Sequence, residues 1–364
     1  MDPLSQGVLG AAAPQAVSRK NVLLAAVLGL LAGMAPDLDV LIYSDTDPIL
    51  FLEYHRQFSH SLLFIPVGAF LCASLLHGLF ARRYLRFAHT YLFCTLGYAT
   101  HGLLDACTSY GTQLFWPFST VRFAWHNISI VDPLFTVPIL VCVVVGALRA
   151  SPRWGRAALV WAVVYLGIGV AQRERAEAVG LALATARGHT PRVIEAKPSF
   201  GNLLLWKMIY EAQGNYYIDA VRVGAGVKVF EGEVVAKLDL ARDFPWLDPA
   251  SQQARDVERF RWFSAGYLAK SAKVDNFIVD MRYSLLPNRG DGLWGVTLSP
   301  AAAPDEHVGY RVTREPDEPT RSAFFAMVLD AVASGPLPVG ASGGMETAGC
   351  GAVQAPTEAT DACR

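Results

Sequence analysis

The sequence predicts a mainly α protein: a polytopic helical membrane bundle of four or five spans, followed by a small α+β soluble domain. Three observations carry this. Of 364 residues, 52% are hydrophobic and 17% charged, with a mean hydropathy of +0.30, a composition far from that of a soluble globular chain. Charge is missing in blocks: residues 61–80, 87–104, 133–148 and 157–172 contain no Asp, Glu, Lys or Arg. After Gln172, charges return at ordinary density and the apolar pattern shortens.

A membrane span needs about 20 apolar residues. Residues 61–80 meet that length outright. Residues 84–106 meet it if Arg86 snorkels and Asp105 lies at the interface. Residues 131–149 are slightly short, and 21–35 and 157–172 are shorter still, so buried core helices are the competing reading for those two. The first twenty residues lack a basic segment before their apolar part, so they make a poor secretory signal. Arg19 and Lys20, then Arg82, Arg83 and Arg86, then Arg149, Arg153 and Arg156 fall at alternate turns. This bias assigns that face to the cytoplasm. The opposite face and the soluble domain are then extracytoplasmic.

The chain divides into a membrane domain (1–172), a connector (173–200) whose residues 173–190 are expected to continue the last span as helix, an α+β domain (201–334) and a tail (335–364). The tail is rich in Gly, Ala, Ser and Thr and is expected to be disordered. In the third segment, 215–223 and 226–238 read as strands joined by a Gly turn. Residues 248–270 read as a helix with Asp248 as its cap and Pro249 at its first position. Strands are expected over 273–286 and 292–300. Asp280 and Arg282, two apart on a strand, read as an ion pair.

The net charge of −1 leaves no basic footprint for nucleic acid. Six cysteines are scattered without a CxxC pair; Cys72, Cys94, Cys107 and Cys142 read as small apolar residues in or beside spans.

The ionisable residues of the membrane domain are not scattered. Asp37 and Asp39 end the first span, and His55, Arg56 and His60 open the second. His101 and Asp105 end the third, and Asp132 opens the fourth. All meet at the face opposite the Arg clusters. Each piece alone has an ordinary explanation: "PDLD" as a helix stop, Ser59 as the cap of the helix holding His60, Arg56 as a headgroup contact. Their convergence is the stronger fact, because ionisable groups at membrane depth are costly and usually functional. His101 and Asp105, four apart, share a helix face. Mixed imidazole and carboxylate donors suit zinc, manganese or iron(II), singly or in pairs, and such ions serve hydrolysis of phosphoesters. Asp39, His60, His101 and Asp105 are therefore the candidate catalytic residues. Asp37, Asp39, His55, His60, His101, Asp105 and Asp132 are the candidate ligands, and Arg56 the candidate anion binder.

The ordered pieces "MDPLSQGVLGAA", "GMAPDLDVL", "HRQFSHSLLF", "THGLLDACTSYGTQLFWPF" and "ISIVDPLFTVP" resemble the membrane-bound metal-dependent hydrolases, a family with a LexA-regulated inner-membrane member. The resemblance covers about residues 1–170. "PSFGNLLLWKMI" and "VDMRYS" look like the soluble part of a longer subgroup. The Asp–His–HxxxD arrangement is also similar to zinc phospholipase C and related single-strand nucleases, which favours phosphoester chemistry. The resemblance implies a divalent-metal hydrolase, zinc first, with a small-molecule or lipid phosphoester reached from membrane lipid. One departure stands out: Gln6 occupies a position where many relatives carry histidine, and Asp132 or His126 would have to replace that ligand. The alternatives are a non-catalytic metal-binding protein, a transporter or an envelope scaffold.

Overall fold

The structure, a computed structural model, describes residues 1–313 and 316–329; the tail expected from residue 335 lies outside the described residues. The chain opens with α1 (Pro3–Val17), which Asp2 caps by accepting from the Ser5 backbone N–H. Gly and Ala dominate this helix, and nearly every side of it is buried. It packs against α2 (Val22–Met34) at backbone distance: a Cβ on Gly29 would lie 2.2 Å from the Gly10 carbonyl oxygen. Without a water-filled alternative, helices in such a bundle associate through close packing of small residues.

A tight turn (Ala35–Leu41) and α3 (Leu50–Tyr54) lead to α4 (Ile65–Leu79), α5 (Phe87–Ala106), α6 (Pro133–Leu148) and α7 (Pro152–Ala186). α5 contacts α1, α2 and α4, and α7 packs along α1 and α6. Arg156 donates to the Ala16 carbonyl at 3.0 Å. The α6–α7 turn therefore lies beside the α1–α2 turn, and two of the three basic clusters share one end. Leu71, Leu75, Leu79, Val137, Val160 and Val163 are exposed on the outer helix faces, as a lipid-facing surface requires.

Among the described residues, two helical segments are by length and composition apolar enough to cross a membrane, Val22–Leu41 and Pro152–Ala186; a third counts if Leu50–His60 and Ile65–Leu79, bent by 84°, form one span. That is fewer than the four or five predicted. α6 is only 16 residues long. α5 has the length but spends it on polar groups: Thr90, Tyr98, His101 and Asp105 are all buried in the bundle.

α7 runs unbroken for 35 residues, so the last apolar segment and the expected helical connector are one element. It delivers the chain to a four-stranded antiparallel meander, β1 (Val193–Pro198), β2 (Leu205–Ala212), β3 (Asn215–Val223) and β4 (Val227–Ala236), in that order. Short α8 (Leu240–Asp243) and α9 (Gln252–Phe263) follow. A second antiparallel meander consists of β5 (Leu268–Lys270), β6 (Phe277–Asp280), β7 (Trp294–Thr297) and β8 (Gly309–Val312), before α10 (Glu318–Val328). The cap of α9 is Ser251, whose hydroxyl accepts from the Ala254 N–H, and not Asp248; that carboxylate holds the preceding turn through Ala250. The predicted helix also runs too far, because Gly266 at φ +83° stops it and 268–270 joins a sheet.

The bundle and the sheets share core. Trp206, Met208 and Val221 pack in one cluster with Ala162 and Ala176 of α7, and Ile49 and Leu52 join Phe244, Phe260 and Trp294 in another. The second sheet and α9 thus lie over the bundle end that carries His55.

Candidate metal centre

Four chain segments converge at this end. The first is the turn after α2. Its tighter winding and Pro36 let Asp37 and Asp39, two residues apart, both face inward. The second is 55–60. His55 ends α3, and Arg56 adopts φ +65°, a left-handed conformation uncommon for a side-chain-bearing residue. The Arg56 backbone N–H donates to Asp39 Oδ2 at 3.0 Å, so the strained turn is tied to the carboxylate it presents. The third is the end of α5. It meets the His60 backbone so closely that a Cβ on Gly102 would lie 2.2 Å from the His60 carbonyl oxygen. The fourth is the start of α1, where Gln6 Nε2 donates to Asp105 Oδ1 at 2.8 Å and the Met1 nitrogen also contacts that oxygen.

At the centre, His60 Nε2 and His101 Nε2 are 2.9 Å apart. His101 Nδ1 faces the Gly33 carbonyl at 2.6 Å, and a carbonyl can only accept, so Nδ1 carries the proton and Nε2 a lone pair. His60 Nδ1 faces Ser59 Oγ at 3.0 Å and Asp39 Oδ2 at 3.2 Å; Ser59 Oγ itself donates to that Oδ2 at 2.8 Å. His60 Nδ1 is then the donor, and its Nε2 is also bare. Asp37 Oδ1 lies 3.3 and 3.5 Å from the two Nε2 atoms, and Asp105 Oδ2 lies 3.5 and 3.2 Å from them. Asp105 Oδ2 is buried without a hydrogen-bond partner. Arg56 Nε, 3.1 Å from Asp105 Oδ2, meets only one of these four electron-rich atoms; a proton or a cation between the other three would relieve their repulsion, and the donor set fits a divalent metal.

Asp37, Asp39 and His55 form a second group that could hold an ion, so Asp37 is common to both. His55 Nδ1 donates to Asp39 Oδ1 at 2.8 Å. This outer group is more open: the His55 and Asp37 side chains are 17% and 21% exposed, whereas those of His60, His101 and Asp105 are closed off.

Six of the seven predicted ligands therefore meet. Asp132 does not join them: its carboxylate caps α6 through Leu134 and Phe135 and accepts from the Tyr165 hydroxyl at 2.8 Å. His126 also stands apart, between Ser109 Oγ and Lys197 Nζ; burial, then the neighbouring Lys197, hold its pKa well below the ordinary value. Ser59 is no helix cap; Ser61 takes that role through the Phe64 N–H, and Ser59 orients Asp39 instead. Arg56 is buried with its Nε 3.1 Å from Asp105 Oδ2, its Nη1 on Thr108, and its guanidinium 4.6 Å from the Tyr110 ring centre. As placed, it balances Asp105. Sequence reasoning passed over Tyr98, whose hydroxyl donates to the Ser59 carbonyl, and Gln6 as a group bonded directly to Asp105. Tyr98 lies one helical turn before His101, which was the available signal.

Fold and site define a helical membrane-associated protein with a candidate metal centre at one end of its bundle. Residues 1–176 match the family described as YdjM inner membrane protein. Over 108 residues the chain is 33% identical to the inner membrane protein YbcI of Escherichia coli strain K12, covering 28% of this chain and 60% of that protein. Over 129 residues it is 26% identical to the uncharacterized protein YfhP of Bacillus subtilis strain 168, covering 35% and 38%. The chain thus spans less than two thirds of either relative. No solved structure matches it.

Proposed function

We propose that this chain is a metal-dependent hydrolase of the inner membrane, acting on phosphoesters and, among these, on lipids that reach the bundle end from the side. The same reading puts it in the membrane-bound metal-dependent hydrolase subgroup and turns the site and the sheets toward the extracytoplasmic face. The observation that supports it most is the pair of lone-pair nitrogens, His60 Nε2 and His101 Nε2, facing Asp37 and Asp105 Oδ2, an oxygen that pairs with Arg56 but accepts no hydrogen bond. A closed inner group and a more exposed outer group joined by one carboxylate suit a two-ion site in which only the outer position meets substrate.

His60, His101, Asp105 and Asp37 would hold the inner ion, and Asp37, Asp39 and His55 the outer one, with zinc the best fit to this donor set. When bound, such ions acidify water and offset phosphoryl charge. The chain's own groups do the rest. Asp39 fixes the His55 ring through Nδ1, Ser59 and the Arg56 N–H fix Asp39, and Arg56 keeps the anionic Asp105 tolerable at depth.

Elemental analysis of the purified full chain beside His60→Ala and His101→Ala is the test, followed by phosphodiester and phosphomonoester assays with and without chelator. Two metal ions in wild type, the inner one lost in each variant, and chelator-sensitive hydrolysis lost in both variants are expected. Metal without hydrolysis would leave a structural metal protein, a reading that the burial of His60, His101 and Asp105 favours. No metal after reconstitution would leave a scaffold.

A further inference from the structure

A cavity of about 1070 Å³ opens between the bundle and the α8–α9 segment, at the upper end of the size of small-molecule sites. Gln57, Gln113 and Thr120 form part of its bundle wall, and Leu240, Phe244 and Trp262 part of the opposite one. Apolar side chains make up most of the α8–α9 wall, neutral polar groups part of the bundle wall, and Glu53, Arg255, Glu258 and Arg259 also line the cavity. Its bundle wall belongs to the segment that presents His55 and Arg56, since the Gln113 N–H donates to the Arg56 carbonyl.

Gln113 is 1% exposed, yet neither its Oε1 nor its Nε2 has a hydrogen-bond partner. A buried carboxamide with both ends unsatisfied costs free energy, and a ligand supplying one acceptor and one donor would recover it. The charged residues of the rim are already engaged: Arg259 binds Asp47, Glu53 and Asp256, and Arg255 binds Gln252 and the Ala250 carbonyl. The cavity is thus not built for a bare anion. Its mouth is lipid-like. Thr120 sits in a loop whose Phe115, Phe118 and Val121 are exposed, Phe118 at 83%, and Trp246 and Trp262 are partly exposed on the facing segment. Exposed aromatics of this kind mark membrane interfaces.

We propose that this cavity binds the acyl chain of a membrane lipid, with Gln113 bonded to a neutral linkage that offers a carbonyl together with an O–H or N–H. The site is separate from the metal cluster and does not depend on hydrolysis.

The test uses the full chain in phosphatidylcholine nanodiscs, titrated with a monoacylglycerol brominated in its acyl chain, and reads tryptophan quenching. Saturable quenching that disappears in Trp262→Phe is expected. Gln113→Leu should weaken the affinity about tenfold without lowering thermal stability, because it removes an unsatisfied polar group. Ala241→Trp, on the exposed cavity wall, should abolish saturation, and His101→Ala should leave the affinity unchanged. Equal affinity in wild type, Gln113→Leu and Ala241→Trp would overturn the assignment. So would unsaturable quenching, displacement by inorganic phosphate, or loss of binding in His101→Ala, which would put the lipid at the metal cluster instead.

Discussion

The ring nitrogens of His60 and His101 that point at each other are 2.9 Å apart, while the opposite nitrogen of each ring is held by Ser59 and by the Gly33 carbonyl. These outer contacts fix which nitrogen is free, so the pair is preorganised for a cation. Two ions per chain are expected in wild type. Asp39→Ala and His55→Ala should each lose the outer ion, and His101→Ala the inner one, by mass spectrometry of the intact protein. Ser59→Ala removes no ligand but frees Asp39 to rotate, and should weaken metal binding by about tenfold. Full metal content in both Asp39→Ala and His101→Ala would refute the site.

Gly102 is where α5 meets the His60 carbonyl. Gly102→Ala must push the 58–60 turn away, because the new Cβ would meet a backbone oxygen at 2.2 Å. A destabilisation of about 1–3 kcal/mol is expected, with metal affinity falling more than in Gly78→Ala, where the Cβ meets open space. Competition with a chromogenic chelator measures the difference.

Lys207 is buried in the first sheet, its ammonium donating to Ser284 Oγ and the Arg289 carbonyl, and burial pushes its pKa down to about 7. The unfolded chain keeps that proton up to about 10.4. Between these values the unfolded state binds more protons, so folding stability should rise with pH from about 7 to about 10, by a few kcal/mol in all. Below pH 7 both states are protonated and the penalty is constant. Lys207→Met should flatten this slope in thermal melts; an unchanged slope would show that the amine is not the titrating group.

Ser251 caps α9 and Asp248 does not. Ser251→Ala should cost about 1 kcal/mol, and Asp248→Ala clearly less. The reverse order, read from denaturation midpoints, would restore the Asp248 cap expected from the sequence.

The clustering of the six candidate residues was legible in the sequence because charge is so scarce in the first half of the chain that ionisable residues at segment ends stand out. Asp132 sits at a segment end as well, and only geometry shows that it serves α6 and Tyr165. Helix α1 was hidden for the opposite reason. A run of Gly and Ala has no apolar periodicity, and its worth lies in how closely Gly10 lets Gly29 approach, a property of the partner as much as of the helix. The spans were overcounted because absence of charge was read as exposure to lipid; α5 avoids charge while burying Thr90 and Tyr98 in protein. The α9 cap was misplaced by three residues because Asp-Pro, a common helix opening, here shapes the turn before it.

Helix α7 is 35 residues long, about 52 Å at 1.5 Å per residue, against a hydrocarbon layer of about 30 Å. Spanning that layer would leave about 20 Å of α7 beyond it as a stiff mast. The first sheet is lashed to that mast: Gln172 bonds the Leu203 and Val223 carbonyls, and the Met208 side chain packs against Gly180, where a Cβ would lie 2.4 Å from its sulfur. A lateral force on the sheet would thus be transmitted into the bundle as leverage on α1 and α6 and not dissipated in a joint.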